Sequence, residues 1–203
     1  MLNIAVFGSG AGSNFRAILT AIQRGTIPGA RISLVVSNNS DSGILGIARA
    51  NALPAIHLSR KQFPDDRSFA DAVLSTLLDH GVNFLALAGY MKKVPPAVVA
   101  AYRGRIVNIH PALLPRFGGE GMYGPRVHEA VIASGERTSG ATVHYVDEEY
   151  DHGEVVLQRT VPVLPGDTPE SLARRVLEAE HEAYPEAIRR IAQNEHAADI
   201  HRT

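Results

Sequence analysis

The chain has 203 residues, with 20 Lys plus Arg against 21 Asp plus Glu and a formal net charge of -1, a balance that argues against a broad nucleic-acid-binding surface. Its composition, 45% hydrophobic and 20% charged, is that of a globular domain long enough to bury one sizeable core. With no cysteine in the chain, disulfides, Cys-ligated zinc and a thiol nucleophile are excluded, and no apolar run reaches the roughly 18 residues of a membrane span.

The opening segment MLNIAVFGSG has neither the basic flank nor the apolar length of a signal peptide. A soluble, cytoplasmic protein is expected, with no nucleic-acid or membrane partner. Residues 2–7 form a short apolar run that reads as a buried strand, and a glycine-rich loop follows. Over residues 14–24, Phe15, Ile18, Leu19 and Ile22 keep helical spacing. A strand is expected over 32–36, a helix over 43–50 and a short strand over 55–58. A helix over 67–80 carries Phe69, Ala70, Val73, Leu74, Leu77 and Leu78 on its apolar face. Residues 84–88 read as a strand, 95–102 as a short helix opened by prolines, and 106–109 as another strand. This alternation predicts an α/β fold: a single doubly wound, mostly parallel sheet with helices on both faces. Right-handed crossovers would then line the strand C-terminal ends along one edge.

The remainder changes character. Residues 141–146 and 155–163 read as extended segments separated by a polar turn. Thr168 as a cap and Pro169 at the first helical position open a final helix. Leu172, Val176, Ala179, Ala183 and Ile188 fall on one face of it, and Pro185 is expected to kink or break it. From Asn194 the chain is polar, which predicts one domain over 1–193 and a frayed tail over 194–203.

The loop Gly8-Ser9-Gly10-Ala11-Gly12-Ser13-Asn14 joins the first strand to the first helix. N–H groups at such a helix start can receive an anion, although a tight turn without a ligand fits the same residues. The dinucleotide fingerprint fits poorly. Its third glycine would fall at Ser13, and the second strand leads into Ser37-Asn38-Asn39 where an acid for a ribose is required. There is no Gly-Lys-Ser/Thr either. A single phosphate monoester suits the loop better, with Ser13 and Asn14 adding side-chain donors.

Asn108 and His110 stand two apart at the end of a predicted strand and so share a face. In a parallel sheet that end is where ligands bind. An uncharged amide donor beside an imidazole can stabilise an oxyanion and move a proton; a structural His at a capped strand end also fits. Downstream, a carboxylate at Asp151 beside the imidazole would orient it and raise its pKa. His144 either faces the same cleft or is an ordinary strand residue. A metal held by His110, His144 and Asp151 lacks the supporting pattern of a close His pair on a helix.

The segments GSGAGSN, LALAGYMKKVPP, VNIHPALLP, ATVHYVDEEYDHGEVVLQ and EAEHEAYP, in this order, resemble the phosphoribosylglycinamide formyltransferases over roughly residues 2–190. The resemblance implies a single α/β domain that transfers the formyl group of 10-formyltetrahydrofolate to the amine of glycinamide ribonucleotide in purine biosynthesis. Folate would be a cosubstrate, with no tightly bound cofactor and no metal. Asn108, His110 and Asp151 match the family's catalytic side chains. Gly12, Ser13 and Asn14 match its phosphate loop, and Glu180 the acid that contacts the glycinamide substrate. Met91, Lys92, Lys93 and Val94 match the segment beside the folate, together with Asn108, and Arg67 matches a basic residue holding it. Without the resemblance, Arg67, Lys92, Lys93 and Glu180 read as solvated surface charges.

The chain departs from the family between His110 and His128, where the Gly-rich stretch 117–125 makes it about five residues longer than the more familiar members. Two other functions compete: formyl transfer to a nucleotide-linked amino sugar, and a non-catalytic nucleotide-binding module. The second has no use for Asn108, His110 and Asp151 together.

Overall fold

The computed structural model describes residues 1–200, with side chains described through residue 194. The last three residues of the polar tail expected over 194–203 lie outside the described residues.

Seven strands and six α-helices follow in the order β1 (Leu2–Phe7), α1 (Ser13–Gln23), β2 (Ala30–Ser37), α2 (Gly43–Ala50), β3 (Ala55–His57), α3 (Asp66–Asp79), β4 (Phe84–Leu87), α4 (Pro96–Ala101), β5 (Ile106–His110), α5 (Pro125–Ala133), β6 (Thr138–Tyr145), β7 (Val155–Pro162) and α6 (Pro169–Ile200). The strands form one sheet in the order β3-β2-β1-β4-β5-β6-β7. β1 to β5 are mutually parallel. β6 pairs antiparallel with β5, and β7 antiparallel with β6. The doubly wound, mostly parallel α/β sheet expected from the strand–helix alternation is the one observed.

The pleat of β1 explains why both faces need helices. Leu2, Ile4 and Val6 project into a core shared with Phe15 and Ile18 of α1, Ile44 of α2, Val131 of α5 and Leu172, Val176 and Tyr184 of α6. Ala5 and Phe7 project the other way, against Phe69, Val73 and Leu77 of α3 and Val98 of α4. A strand buried on both sides needs no polar alternation, so it reads as a continuous apolar run.

Two features differ from expectation. α6 is not broken at Pro185 but runs continuously from Pro169 to Ile200, past the point at 194 where fraying is expected. A proline inside a helix costs about 3 kcal/mol. Here Val176, Ala179, Ala183 and Tyr184 before it and Ala187, Ile188 and Ile191 after it are all packed in the same core, and that burial keeps the helix going on both sides of the proline. The start is as expected: Thr168 Oγ1 accepts from the Ser171 N–H at 3.3 Å, and the Ser171 hydroxyl accepts from the Thr168 N–H at 2.9 Å. The second difference is α5, which no sequence pattern assigned. Pro125 opens it, and its buried side is Val127, His128 and Val131.

From β1 the chain winds outward to β3 and then returns to β4 on the other side of β1. The strand order therefore reverses between β1 and β4, and the crevice beyond their C-terminal ends is where such sheets bind ligands. The glycine loop after β1 and residues 88–94 after β4 meet there, with the Ser9 N–H bonded to the Gly89 carbonyl at 3.0 Å.

Candidate active site

The glycine loop is held in one shape. Gly12 has φ 79°, and a Cβ on it would lie 2.8 Å from the Ile44 Cα, so both its backbone conformation and its packing require glycine. The Ser9 hydroxyl donates to Asn38 Oδ1 at 2.5 Å and accepts from the Met91 N–H at 2.8 Å, while Asn39 Nδ2 donates to the Ser9 carbonyl at 2.7 Å. Asn38 and Asn39, which stand where a dinucleotide site needs an acid, thus anchor the loop. Gly12, Ser13 and Asn14 line a cavity of about 450 Å³ with Lys92.

A larger cavity of about 720 Å³ adjoins it. Asn14 borders both, and the larger one brings together Asn108, His110, Asp151, Glu180, Met91, Lys92 and Lys93. Asn108 and His110 come from the end of β5, Asp151 from the turn after β6, and Glu180 from α6. Two residues expected at the folate do not line it. Val94 is buried in the core between the sheet and α3 and α4. Arg67, on α3, is 92% exposed and lies 4.0 Å from Asp71.

Asp151 is the hub of the polar cluster. Its Oδ2 lies 3.5 Å from His110 Nδ1 and accepts from the Gly119 N–H at 2.9 Å; its Oδ1 lies 3.4 Å from His144 Nε2. The residue adopts φ 57°, a left-handed conformation that Asp tolerates better than most residues. Gly153 lets the turn pass under β6, since a Cβ there would fall 1.9 Å from the Tyr145 carbonyl oxygen. His110 Nε2 faces the Phe117 carbonyl at 2.8 Å, so it carries a hydrogen and leaves Nδ1 turned to Asp151. His144 Nδ1 likewise faces the Tyr145 carbonyl at 2.8 Å, and its Nε2 lies 3.2 Å from Asn108 Nδ2. His144 therefore stands behind the cluster, touching both Asn108 and Asp151.

The electrostatics correct one expectation. Asp151 does favour the His110 imidazolium, but burial outweighs it and holds the His110 pKa below its ordinary value. Burial also works against the Asp151 carboxylate, yet the His144 hydrogen bond, the attraction of His110 whenever it is protonated and the Gly119 N–H together leave its pKa lowered. The resting pair is thus an ionised carboxylate beside a neutral imidazole. Burial pushes Glu180 up to about 7 against the Asn14 hydrogen bond. His128 is buried on the cavity wall, its pKa lowered by burial and by His110, and its Nδ1 has no partner among the described residues. Among those residues no group of three His, Asp or Glu side chains is arranged to hold a metal ion.

Several parts of this site have no side-chain signal in the sequence. The stretch 119–125 forms one wall of the larger cavity, and it touches the cluster through backbone groups, the Phe117 carbonyl just before it and the Gly119 N–H. Tyr150 lies across the mouth, with Lys93 Nζ 5.0 Å from its ring centroid. Leu177 lines the cavity one helical turn before Glu180, a position that helical spacing alone could have flagged.

Comparison with known proteins agrees with this architecture. The family described as formyl transferase matches residues 2–188. Two plant proteins named phosphoribosylglycinamide formyltransferase, chloroplastic, are similar. The one from Arabidopsis thaliana is 46% identical over 94% of this chain, and the one from Vigna unguiculata is 47% identical over 94%. This chain spans 65% and 61% of their respective lengths. The crystal structure of glycinamide ribonucleotide transformylase 1 from Symbiobacterium toebii superimposes with a TM-score of 0.89 at 40% identity, covering 96% of this chain and 89% of that one. With the family match running through every strand and into α6, this chain belongs to the formyl transferase family.

Proposed function

We propose that the protein transfers the formyl group of 10-formyltetrahydrofolate to the amine of glycinamide ribonucleotide, a step of de novo purine biosynthesis. The observation that carries this reading is the convergence of Asn108, His110 and Asp151 on a cavity that Lys92 and Lys93 also line and that adjoins the glycine loop. That arrangement suits a reaction between two anionic small molecules.

In this reading the ribonucleotide phosphate sits at the start of α1, held by the N–H groups of Gly12, Ser13 and Asn14 and by the Ser13 hydroxyl. The side-chain amide of Asn14 donates to Glu180, so Asn14 contributes to the phosphate through its backbone. Glu180 receives the glycinamide portion. Met91, Lys92 and Lys93 border the folate with Asn108. Arg67, outside the cavity, is assigned to the far, acidic end of that substrate, and Val94 supports the segment from the core.

The substrate amine is the nucleophile. It attacks the formyl carbon, and the carbonyl oxygen becomes an oxyanion to which Asn108 donates, a contact worth about 2–4 kcal/mol in a transition state. Neutral His110 takes the proton that the amine loses, and Asp151 stabilises the imidazolium so formed. The same proton then passes to the folate nitrogen as its bond to the former formyl carbon breaks. No enzyme nucleophile is needed, in keeping with a chain that has no cysteine.

We assign residues 1–193 to the transferase domain and 194–203 to an appended tail, since the last core side chains among the described residues are Ile191 and Ala192. The cytoplasm is the compartment proposed, because both substrates are charged, water-soluble metabolites. Steady-state kinetics with 10-formyltetrahydrofolate and either glycinamide ribonucleotide or a nucleotide-linked amino sugar as acceptor tests the reading. Turnover with the ribonucleotide supports it. Turnover with the amino sugar alone, or binding of the ribonucleotide without turnover, overturns it.

A further inference from the structure

A further cavity lies outside the cleft just described. It measures about 850 Å³ and lies between α1 and α6. On one side its wall is the stripe of Arg16 and Thr20 on α1 and Arg24 at its C-cap, four residues apart in turn, with Ala17 and Ala21 between them. On α6 it is His181, Pro185 and Arg189, again four apart. Helix positions four apart place their Cβ atoms about 6 Å apart, so Arg16 and Arg24 can both reach over the Thr20 hydroxyl.

The charges there are unbalanced. Arg159 lies 3.5 Å from Glu182, and Arg189 pairs with Glu186 at 2.8 Å. Arg16 and Arg24 have no side-chain partner among the described residues, so four guanidiniums share two carboxylates along this cavity. Two polar groups on the opposite helix are also uncommitted. His181 Nε2 is buried without a partner among the described residues, and Pro185 has no N–H to give to the His181 carbonyl. Ala17, Ala21, Ile27 and Pro185 form an apolar strip in the lining, beside the hydroxyls of Ser13 and Thr26.

We infer that this cavity is a second ligand site, for a phosphate ester with a flat apolar body, the chemistry of a nucleoside monophosphate. Arg16 and Arg24 hold the phosphate over Thr20, as guanidiniums do in planar, bidentate fashion. The apolar strip carries the ring. The volume falls in the range of about 300–1,000 Å³ usual for small-molecule sites. Its lining shares no residue with the catalytic cleft, although it reaches Ala11 and Ser13 of the glycine loop, and α1 and α6 also supply Asn14 and Glu180 to that cleft.

Calorimetric titration of the whole chain with adenosine monophosphate tests the inference, run with and without saturating glycinamide ribonucleotide and with no folate present. The expected result is a Kd below 1 mM (roughly 4 kcal/mol of binding) that the ribonucleotide leaves unchanged. Arg16→Ala and Arg24→Ala should each weaken it about tenfold, the size of one charge-assisted hydrogen bond. Ribose 5-phosphate should bind several-fold more weakly, for want of the ring. Arg24→Gln, with circular dichroism alongside, covers the case in which an alanine variant misfolds. No heat of binding, displacement by the ribonucleotide, or an unchanged Kd in the arginine variants would each overturn the inference. So would ribose 5-phosphate binding as tightly as the nucleotide. The arginine variants are read without ribonucleotide, so their outcome does not depend on the catalytic assignment.

Discussion

Asn14 Nδ2 donates to Glu180 Oε2 at 2.6 Å, joining residues 166 positions apart. This bond ties the first turn of α1 to the middle of α6 and commits the Asn14 side chain to an acid, while its Oδ1 stays buried without a partner among the described residues. Because burial raises the Glu180 pKa to about 7 from 4.5, the folded protein holds this proton more tightly than the unfolded chain does. The stability contributed by protonated Glu180 is complete below pH 4.5 and is lost as pH rises through 7. Glu180→Gln should therefore show a flatter dependence of Tm on pH between 5 and 8 than the parent, measured by calorimetry. Identical profiles would mean that Glu180 is ionised throughout.

His110 and Asp151 should behave as one unit in catalysis. His110→Ala and Asp151→Asn are each expected to lower kcat by about 10²–10⁴, with the double variant falling little further. Multiplicative losses would mean that the two act independently. Asn is a fair replacement at Asp151, where φ is 57°.

The pH profile provides a separate check on the same pair. Burial sets the His110 pKa below 6.5, so the acid limb of kcat/KM should fall below that value. Asp151 opposes the burial effect, and its loss should move the limb of Asp151→Asn lower still. A limb that moves upward in this variant would contradict the assigned interaction.

Gly153→Ala places a Cβ 1.9 Å from the Tyr145 carbonyl oxygen, a backbone overlap that rotamer changes cannot relieve. The turn carrying Asp151 must shift to accept it. We expect kcat to fall at least tenfold while Tm changes by only a few degrees, because the displaced segment is an exposed turn. Parental kcat in a folded variant would show that Asp151 needs no such fixed position.

Tyr184 is fully buried, and its hydroxyl reaches the carbonyls of Leu87 at 3.0 Å and Val107 at 3.1 Å, at the end of β4 and within β5 beside it. Tyr184→Phe keeps the volume and strands both carbonyls. The loss should be about 1–3 kcal/mol in denaturant unfolding. A loss below 0.5 kcal/mol, about the floor for a useful hydrogen bond, would show that the two strands do not depend on it.

Arg67→Ala should raise the KM for formylfolate and leave that for the ribonucleotide unchanged, with the effect shrinking as salt is added, since the side chain is 92% exposed. Equal changes in both values, or none, would remove Arg67 from folate binding.

The doubly wound sheet was legible in the chain because two-sided burial leaves its mark locally. Continuous apolar runs such as Ile4–Phe7 and helical faces such as Phe15, Ile18 and Leu19 each fall within one short window. Asn108 and His110 were legible for the same reason, since a period of two puts both on one face of β5. Other features arise only when distant segments pack. Pro185 signals a helix break by itself, and α6 continues because the sheet buries residues on both sides of it. The neutral state of His110 comes from its surroundings in the folded chain, where loss of water outweighs the nearby carboxylate. The part played by residues 117–119 rests on a carbonyl and an N–H, groups that every stretch of chain possesses and no side-chain pattern reveals. Composition and periodicity thus determined the layers and the strand end that bears the amide and imidazole. Tertiary packing alone decided which backbone groups meet them and which protons they hold.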